Sequence, residues 1–187
     1  ERRLGDRVMR SILGDPDVVD DPVTLEYVND VWQDLLRSAR QRGDISTEMD
    51  ELYAWRPFLV RERSVNAFAL PGGYIGVHLG LLAMTGSPDE LASVMAHELS
   101  HVTQRHIARM MSEQSRQSLV SLVSMILGAV AIARAPQAGQ ALIVGGQAAS
   151  IQGQLNFSRD MEREADRVGF GVLTDAGFSP AGMAQMF

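Results

Sequence analysis

The chain has 187 residues, 45% of them hydrophobic and 21% charged, enough for one domain with a sizeable core. Its net charge of −6 argues against a nucleic-acid partner, which normally needs a basic face, while leaving a membrane-proximal role open. It contains no cysteine, which excludes disulfides and thiolate metal sites and leaves His and carboxylates to hold any metal.

Glu1-Arg2-Arg3 opens directly into a polar segment without a signal peptide, so the start reads as a mature or trimmed end. After the acidic pair Asp20-Asp21, Leu25, Val28, Val31, Leu35 and Leu36 recur at helical spacing. Between Leu52 and Val77 the pattern turns strand-like, with Phe58-Leu59-Val60 and Ala67-Phe68-Ala69-Leu70. Pro71-Gly72-Gly73 is a turn signal, and Tyr74-Ile75-Gly76-Val77 reads as the return strand of a hairpin. Gly80-Leu81-Leu82 then leads into a short helix or turn.

Ser87-Pro88-Asp89-Glu90 has the form of a helix start, with Ser87 as N-cap, Pro88 in the first turn and Glu90 closing a capping box. The helix it opens points Leu91, Val94, Met95 and Val102 at a core and is expected to run past His106 to about Ser112. The apolar run 118–133 falls short of the ~20 residues that span a bilayer, and serines interrupt it. It reads as a buried helix or one that covers an active site, with Leu119 to Ile132 packed over the cleft. The stretch 136–153, with Gly139, Gly145 and Gly146, reads as a turn and a loosely packed helix. A last strong helix spans Ser158 to Ala176, with Met161, Ala165, Val168 and Val172 as its apolar stripe and Gly177 as its C-cap. Ser179-Pro180 opens one more helix that stops after about two turns, so the chain reads as a single domain, 1–187, cut from a longer protein.

The chemistry concentrates in His97-Glu98-Leu99-Ser100-His101. Residues four apart share a helix face, so His97 and His101 can present imidazoles to one metal ion. Glu98 stands beside them, placed as general base on a zinc-bound water; this HExxH arrangement is that of the zinc metalloproteases. A catalytic zinc needs a third protein ligand. His106 is a poor candidate, nine residues after His97 on the same predicted helix and so about 180° around it. His78, close to the return strand, stays open as an alternative. The better candidate lies in Glu162-Arg163-Glu164-Ala165-Asp166. Glu162 and Asp166 are four apart and share a face, whereas Glu164 points elsewhere. Glu162 is therefore assigned as ligand and Asp166 as the group that orients a ligand His from its far nitrogen.

HELSH at 97–101 with EREAD at 162–166 resembles the zinc metallopeptidase family of the CAAX prenyl proteases, the HtpX heat-shock proteases and the periplasmic BepA-type proteases. Asn66 to Gly73 and Gly80-Leu81-Leu82 also look like that family's segment before the active-site helix, so the resemblance runs from about Val65 to Pro180. It implies an α+β fold, mainly helical and zincin-like (gluzincin), with a small β-sheet before the active-site helix. It also implies one Zn2+ per chain, with the first Glu of the ExxAD block, Glu162, as ligand. In some members the residue matching Asp166 is a proton donor, which makes Asp166 a catalytic candidate beside Glu98. Without the transmembrane helices of the other branches, the chain looks most like the soluble BepA-like branch. That branch often carries tetratricopeptide-type repeats after the peptidase domain, so such helices are expected beyond 187.

The implied activity is zinc-dependent endopeptidase hydrolysis of unfolded or misassembled envelope proteins, in or near the periplasm, as a soluble or peripherally membrane-associated protein. Polypeptide substrates and outer-membrane assembly partners follow from the same resemblance. The alternative is a chaperone or assembly factor whose protease activity is latent. Val65 to Leu70 is a candidate template on which extended substrates add by main-chain hydrogen bonds, unless the strand is internal to its sheet. For stabilising the oxyanion the sequence offers only Tyr74 and His78 as weak candidates.

Overall fold

The computed structural model describes residues 1–13, 17–113 and 159–186. The predicted 119–132 cover and the glycine-bearing 136–153 stretch lie outside the described residues. Among the described residues four strands form one sheet: β1 (Val18–Val19), β2 (Arg56–Val60), β3 (Ala67–Leu70) and β4 (Tyr74–His78), in the order β1-β2-β4-β3. β2 and β4 run parallel, β3 returns antiparallel along β4, and β3 forms an edge of the described sheet. The hairpin expected from Pro71-Gly72-Gly73 is present. Gly72 (φ 84°) and Gly73 (φ 83°) sit in the left-handed region that a side chain disfavours.

Side chains alternate across the pleat, and both faces of the sheet are covered. Leu59, Ala67, Ile75 and Val77 join the main core on one face. Phe58, Val60, Leu70 and Tyr74 form a second cluster on the other, capped by Val8, Met9 and Ile12 of α1 (Arg2–Leu13). The sequence reading did not single out α1. It lies so close to the hairpin turn that a Cβ on Gly5 would overlap the Pro71 carbonyl.

The main core is built by three long helices. α2 (Pro22–Arg42) starts at Asp21, whose carboxylate accepts from the backbone N–H groups of Val23 and Thr24. It buries Val28, Val31, Leu35 and Leu36 of the stripe read from the sequence, and Trp32 besides, while Leu25 is only partly buried. After α3 (Thr47–Leu52), the sheet and α4 (Leu79–Met84) comes α5 (Pro88–Thr103), the central helix. Leu91, Ala92, Met95, Ala96 and Leu99 of α5 are each 0% exposed. Ser87 caps it, its hydroxyl accepting from Glu90 N–H. Glu90 reaches back to Gly86 N–H, one residue before the donor a standard capping box uses. No described helix is long and apolar enough to cross a membrane.

The structure corrects one expectation. The helix carrying the His pair does not continue to Ser112 but ends at Thr103, and α6 (His106–Glu113) starts afresh. Arg105 between them adopts φ 55°, a left-handed conformation that breaks the i→i−4 ladder and turns the chain. His106 is thereby rotated out of the direction that continuous helical periodicity assigns to it.

α7 (Arg159–Asp175) packs along α5, and α8 (Ala181–Met186) packs against α5 as well. Met161, Ala165, Val168 and Val172 of α7 are buried, as their spacing predicts, and Gly177 (φ 91°) ends the helix. At Gly169 the two helices meet backbone to backbone: a Cβ there would stand 3.1 Å from the Ala96 carbonyl oxygen and 3.2 Å from His97 N. Gly169→Val is therefore expected to push α7 off α5 and to destabilise the fold by about 1–3 kcal/mol, the usual scale of overpacking. Denaturant unfolding monitored by circular dichroism checks it, and an unchanged midpoint would show that the contact gives way freely.

Candidate metal centre

One turn apart on α5, His97 (6% exposed) and His101 (1% exposed) are held inside the core by the neighbours that bury that helix. Their Nε2 atoms stand 3.0 Å apart, with ring centroids 4.8 Å apart. The carboxylate of Glu162, in the first turn of α7, closes the triangle: Oε2 is 3.4 Å from His97 Nε2 and Oε1 is 3.9 Å from His101 Nε2. Among the described residues these three form the group able to hold a metal ion, and neither His78 nor His106 joins it. Donors on a tetrahedral zinc at about 2.0–2.1 Å stand roughly 3.4 Å from one another. The observed separations bracket that value. Two imidazoles and a carboxylate are also the donor set that suits such an ion. Glu162 is 42% exposed, so the triangle opens to solvent on the carboxylate side.

Each imidazole is held from behind. His97 Nδ1 lies 2.9 Å from Asp166 Oδ1, so the carboxylate accepts the Nδ1 proton and leaves Nε2 as a lone pair facing Glu162. His101 Nδ1 lies 2.9 Å from His106 Nδ1, and His106 Nε2 lies 3.0 Å from Glu164 Oε2. Arg109 of α6 donates to that same oxygen at 2.7 Å. Sequence periodicity set His106 aside as facing the opposite way; the turn at Arg105 instead brings it directly behind His101. No local signal marks the restart: His106 and Arg109 share a helix face whether the helix continues or begins again, and only the left-handed turn at Arg105 redirects that face.

Burial pushes the His101 imidazole down to about 3, reinforced by His97 and His106 beside it, so it stays neutral and able to donate a lone pair. Burial also lowers His106, against the pull of Glu164. Glu164 is held below the usual carboxylate range, chiefly by Arg109 and then by His106.

Glu98 occupies a different position. Its Oε2 accepts from the backbone N–H of Ala69 on β3, 3.1 Å away. Burial pushes its carboxyl up to about 8, the Ala69 bond opposing the shift and the Glu162 charge adding to it. Glu98 is thus beside the triangle and in contact with the sheet edge. The two residues considered for oxyanion stabilisation are engaged elsewhere: the Tyr74 hydroxyl donates to Asp6 of α1, and His78 Nδ1 pairs with the Ser64 hydroxyl.

A relative in Vibrio cholerae whose name describes a beta-barrel assembly-enhancing protease is 43% identical over 98% of the chain and 36% of its own length. The beta-barrel assembly-enhancing protease of Escherichia coli is 38% identical over 98% of the chain and 36% of its own length. Mitochondrial metalloendopeptidase OMA1 of Arabidopsis thaliana is 30% identical over 83% of the chain and 30% of its own length. The chain thus spans about a third of the length of these curated relatives. Residues 26–187 match the family described as Peptidase family M48. The metallopeptidase class and the zincin-like α+β fold expected from the sequence therefore stand, and the chain belongs to Peptidase family M48.

Proposed function

We propose that residues 1–187 form a single metallopeptidase domain that binds one zinc ion through His97, His101 and Glu162 and cleaves peptide bonds within polypeptide chains. The observation that carries this reading is the convergence of those three donors at separations a tetrahedral ion requires, with Glu98 next to them but outside their triangle. Zinc, when bound, polarises the scissile carbonyl and acidifies water. Glu98 removes the proton from the attacking water and delivers it to the leaving amine. Asp166 accepts from His97 Nδ1, which suits an orienting group.

The substrate enters as an extended strand. β3 lies at the described sheet edge and its Ala69 touches Glu98, so a chain added there by main-chain hydrogen bonds passes the general base. Recognition by backbone favours unfolded or misassembled chains over defined sequences. The names of the bacterial relatives, beta-barrel assembly-enhancing protease, point to envelope proteins as the targets and to the periplasm as the compartment, with outer-membrane assembly components as partners. The word assembly in those names leaves room for a second reading, an assembly factor whose proteolysis is latent.

Glu98→Gln decides between the two. It is expected to keep zinc and fold while abolishing cleavage of an unfolded protein such as casein; assembly function that survives in this variant would support the second reading, and near-normal turnover would remove Glu98 from the mechanism. The same variant carries a pH signature. In the metal-free protein Glu98 binds its proton up to about pH 8, against 4.5 for an unperturbed carboxyl. The folded state thus holds more protons than the unfolded one between these values, and stability falls as pH rises through that window. Glu98→Gln should flatten this slope in thermal melts recorded with chelator.

Two further variants test the ligand set. Glu162→Gln is expected to lose most of the zinc at equal protein concentration, whereas Glu164→Gln, whose side-chain oxygen can still accept from His106 and Arg109, keeps most of it; the reverse outcome in metal analysis would make Glu164 the ligand. Asp166→Asn is expected to lower metal affinity or activity about 10–100-fold, and an unchanged enzyme would place Asp166 outside the site.

A further inference from the structure

We propose that His106 is a positioning residue: with Glu164 and Arg109 it forms a relay that fixes the tautomer and orientation of His101. The proposal rests on the zinc reading above and adds to it a function for three residues outside the ligand triangle.

The direction of every bond in the relay follows from its outer end. The Arg109 guanidinium can only donate, so Glu164 Oε2, 2.7 Å from it, is an accepting carboxylate oxygen. His106 Nε2, 3.0 Å from the same oxygen, must then carry a proton and donate it. In a neutral imidazole the other nitrogen is a lone pair, so His106 Nδ1 accepts. Its partner at 2.9 Å is His101 Nδ1, which must therefore donate. That leaves His101 Nε2 as a lone pair, aimed at His97 Nε2 and Glu162. If His106 carried its proton on Nδ1 instead, His101 would be protonated on Nε2 and closed to a cation.

His106 is 0% exposed and its ring meets His101 edge to face, with centroids 4.9 Å apart. The left-handed turn at Arg105 is what makes it available, because it allows α6 to present His106 and Arg109 together to Glu164. The two ligand imidazoles are thus oriented by different means: His97 directly by a carboxylate, His101 by a carboxylate acting through a second imidazole.

The test measures zinc affinity by chelator competition in the full chain, for wild type, His106→Phe and His106→Asn, with circular dichroism as the fold control. His106→Phe keeps the ring volume but offers no acceptor to His101. It is expected to weaken zinc binding about 10–100-fold with the fold retained. His106→Asn places Oδ1 near the position of Nδ1 and is expected to recover part of that loss, which a packing role would not predict. Independently, 15N imidazole spectra of the metal-free wild type should show His106 protonated on Nε2 and His101 on Nδ1. Wild-type affinity in His106→Phe, or a His106 proton on Nδ1, overturns the relay while leaving the zinc site intact. Should His106→Phe fail to fold, the tautomer measurement on wild type decides alone. Should the wild type bind no zinc, the underlying site falls and the relay with it.

Discussion

Backbone contact between α5 and α7 at Gly169 is the constraint from which the site follows. Glu162 and Asp166 begin α7 while His97 lies in the second half of α5, and short carboxylate side chains bridge to an imidazole only if the helix axes come unusually close. Gly169, packed on the peptide between Ala96 and His97, permits that approach. The same crossing is fastened from a third side, where the Ser38 hydroxyl of α2 donates to the Val172 carbonyl at 2.8 Å. With Met95, Leu99 and Leu173 fully buried around it, the crossing is part of the main core, and site and core are one packing problem.

That arrangement places three imidazoles where solvation is poor. A buried polar group without a partner is costly, on the order of 1–3 kcal/mol by mutational measures. His97, His101 and His106 avoid this by facing carboxylates or one another on their outer nitrogens. The Nε2 atoms of His97 and His101 converge with the Glu162 carboxylate, an arrangement complementary in charge to a cation.

Much of this was legible in the sequence because it is written in local spacing. The i, i+4 relation of His97 and His101, the caps at Asp21, Ser87 and Gly177, and the apolar stripe of α7 all follow from helical geometry over short distances. The Pro71-Gly72-Gly73 hairpin follows from turn chemistry. What could not be read depends on long-range register or on a conformation without a signature. The parallel pairing of β2 with β4 leaves β3 at an edge, and nothing in the strand itself announces that order. The helix break falls at Arg105, a residue with no special liking for positive φ, so uninterrupted periodicity predicted the wrong direction for His106. α1 went unnoticed because its charged surface outweighs the three residues, Val8, Met9 and Ile12, with which it closes the outer face of the sheet.

The bond from Ala69 N–H to Glu98 also sets a phase. In the β3–β4 ladder, Asn66 accepts from His78, which makes Asn66, Phe68 and Leu70 the positions paired inward and turns Ala67 and Ala69 outward. Of the outward groups, Ala69 N–H is already committed to the Glu98 carboxylate. A docking strand meets only the remaining ones, and a pleated chain can match them solely in steps of two residues. A polypeptide docked on this edge would therefore hold its register, because a one-residue slip turns every paired peptide group away from β3.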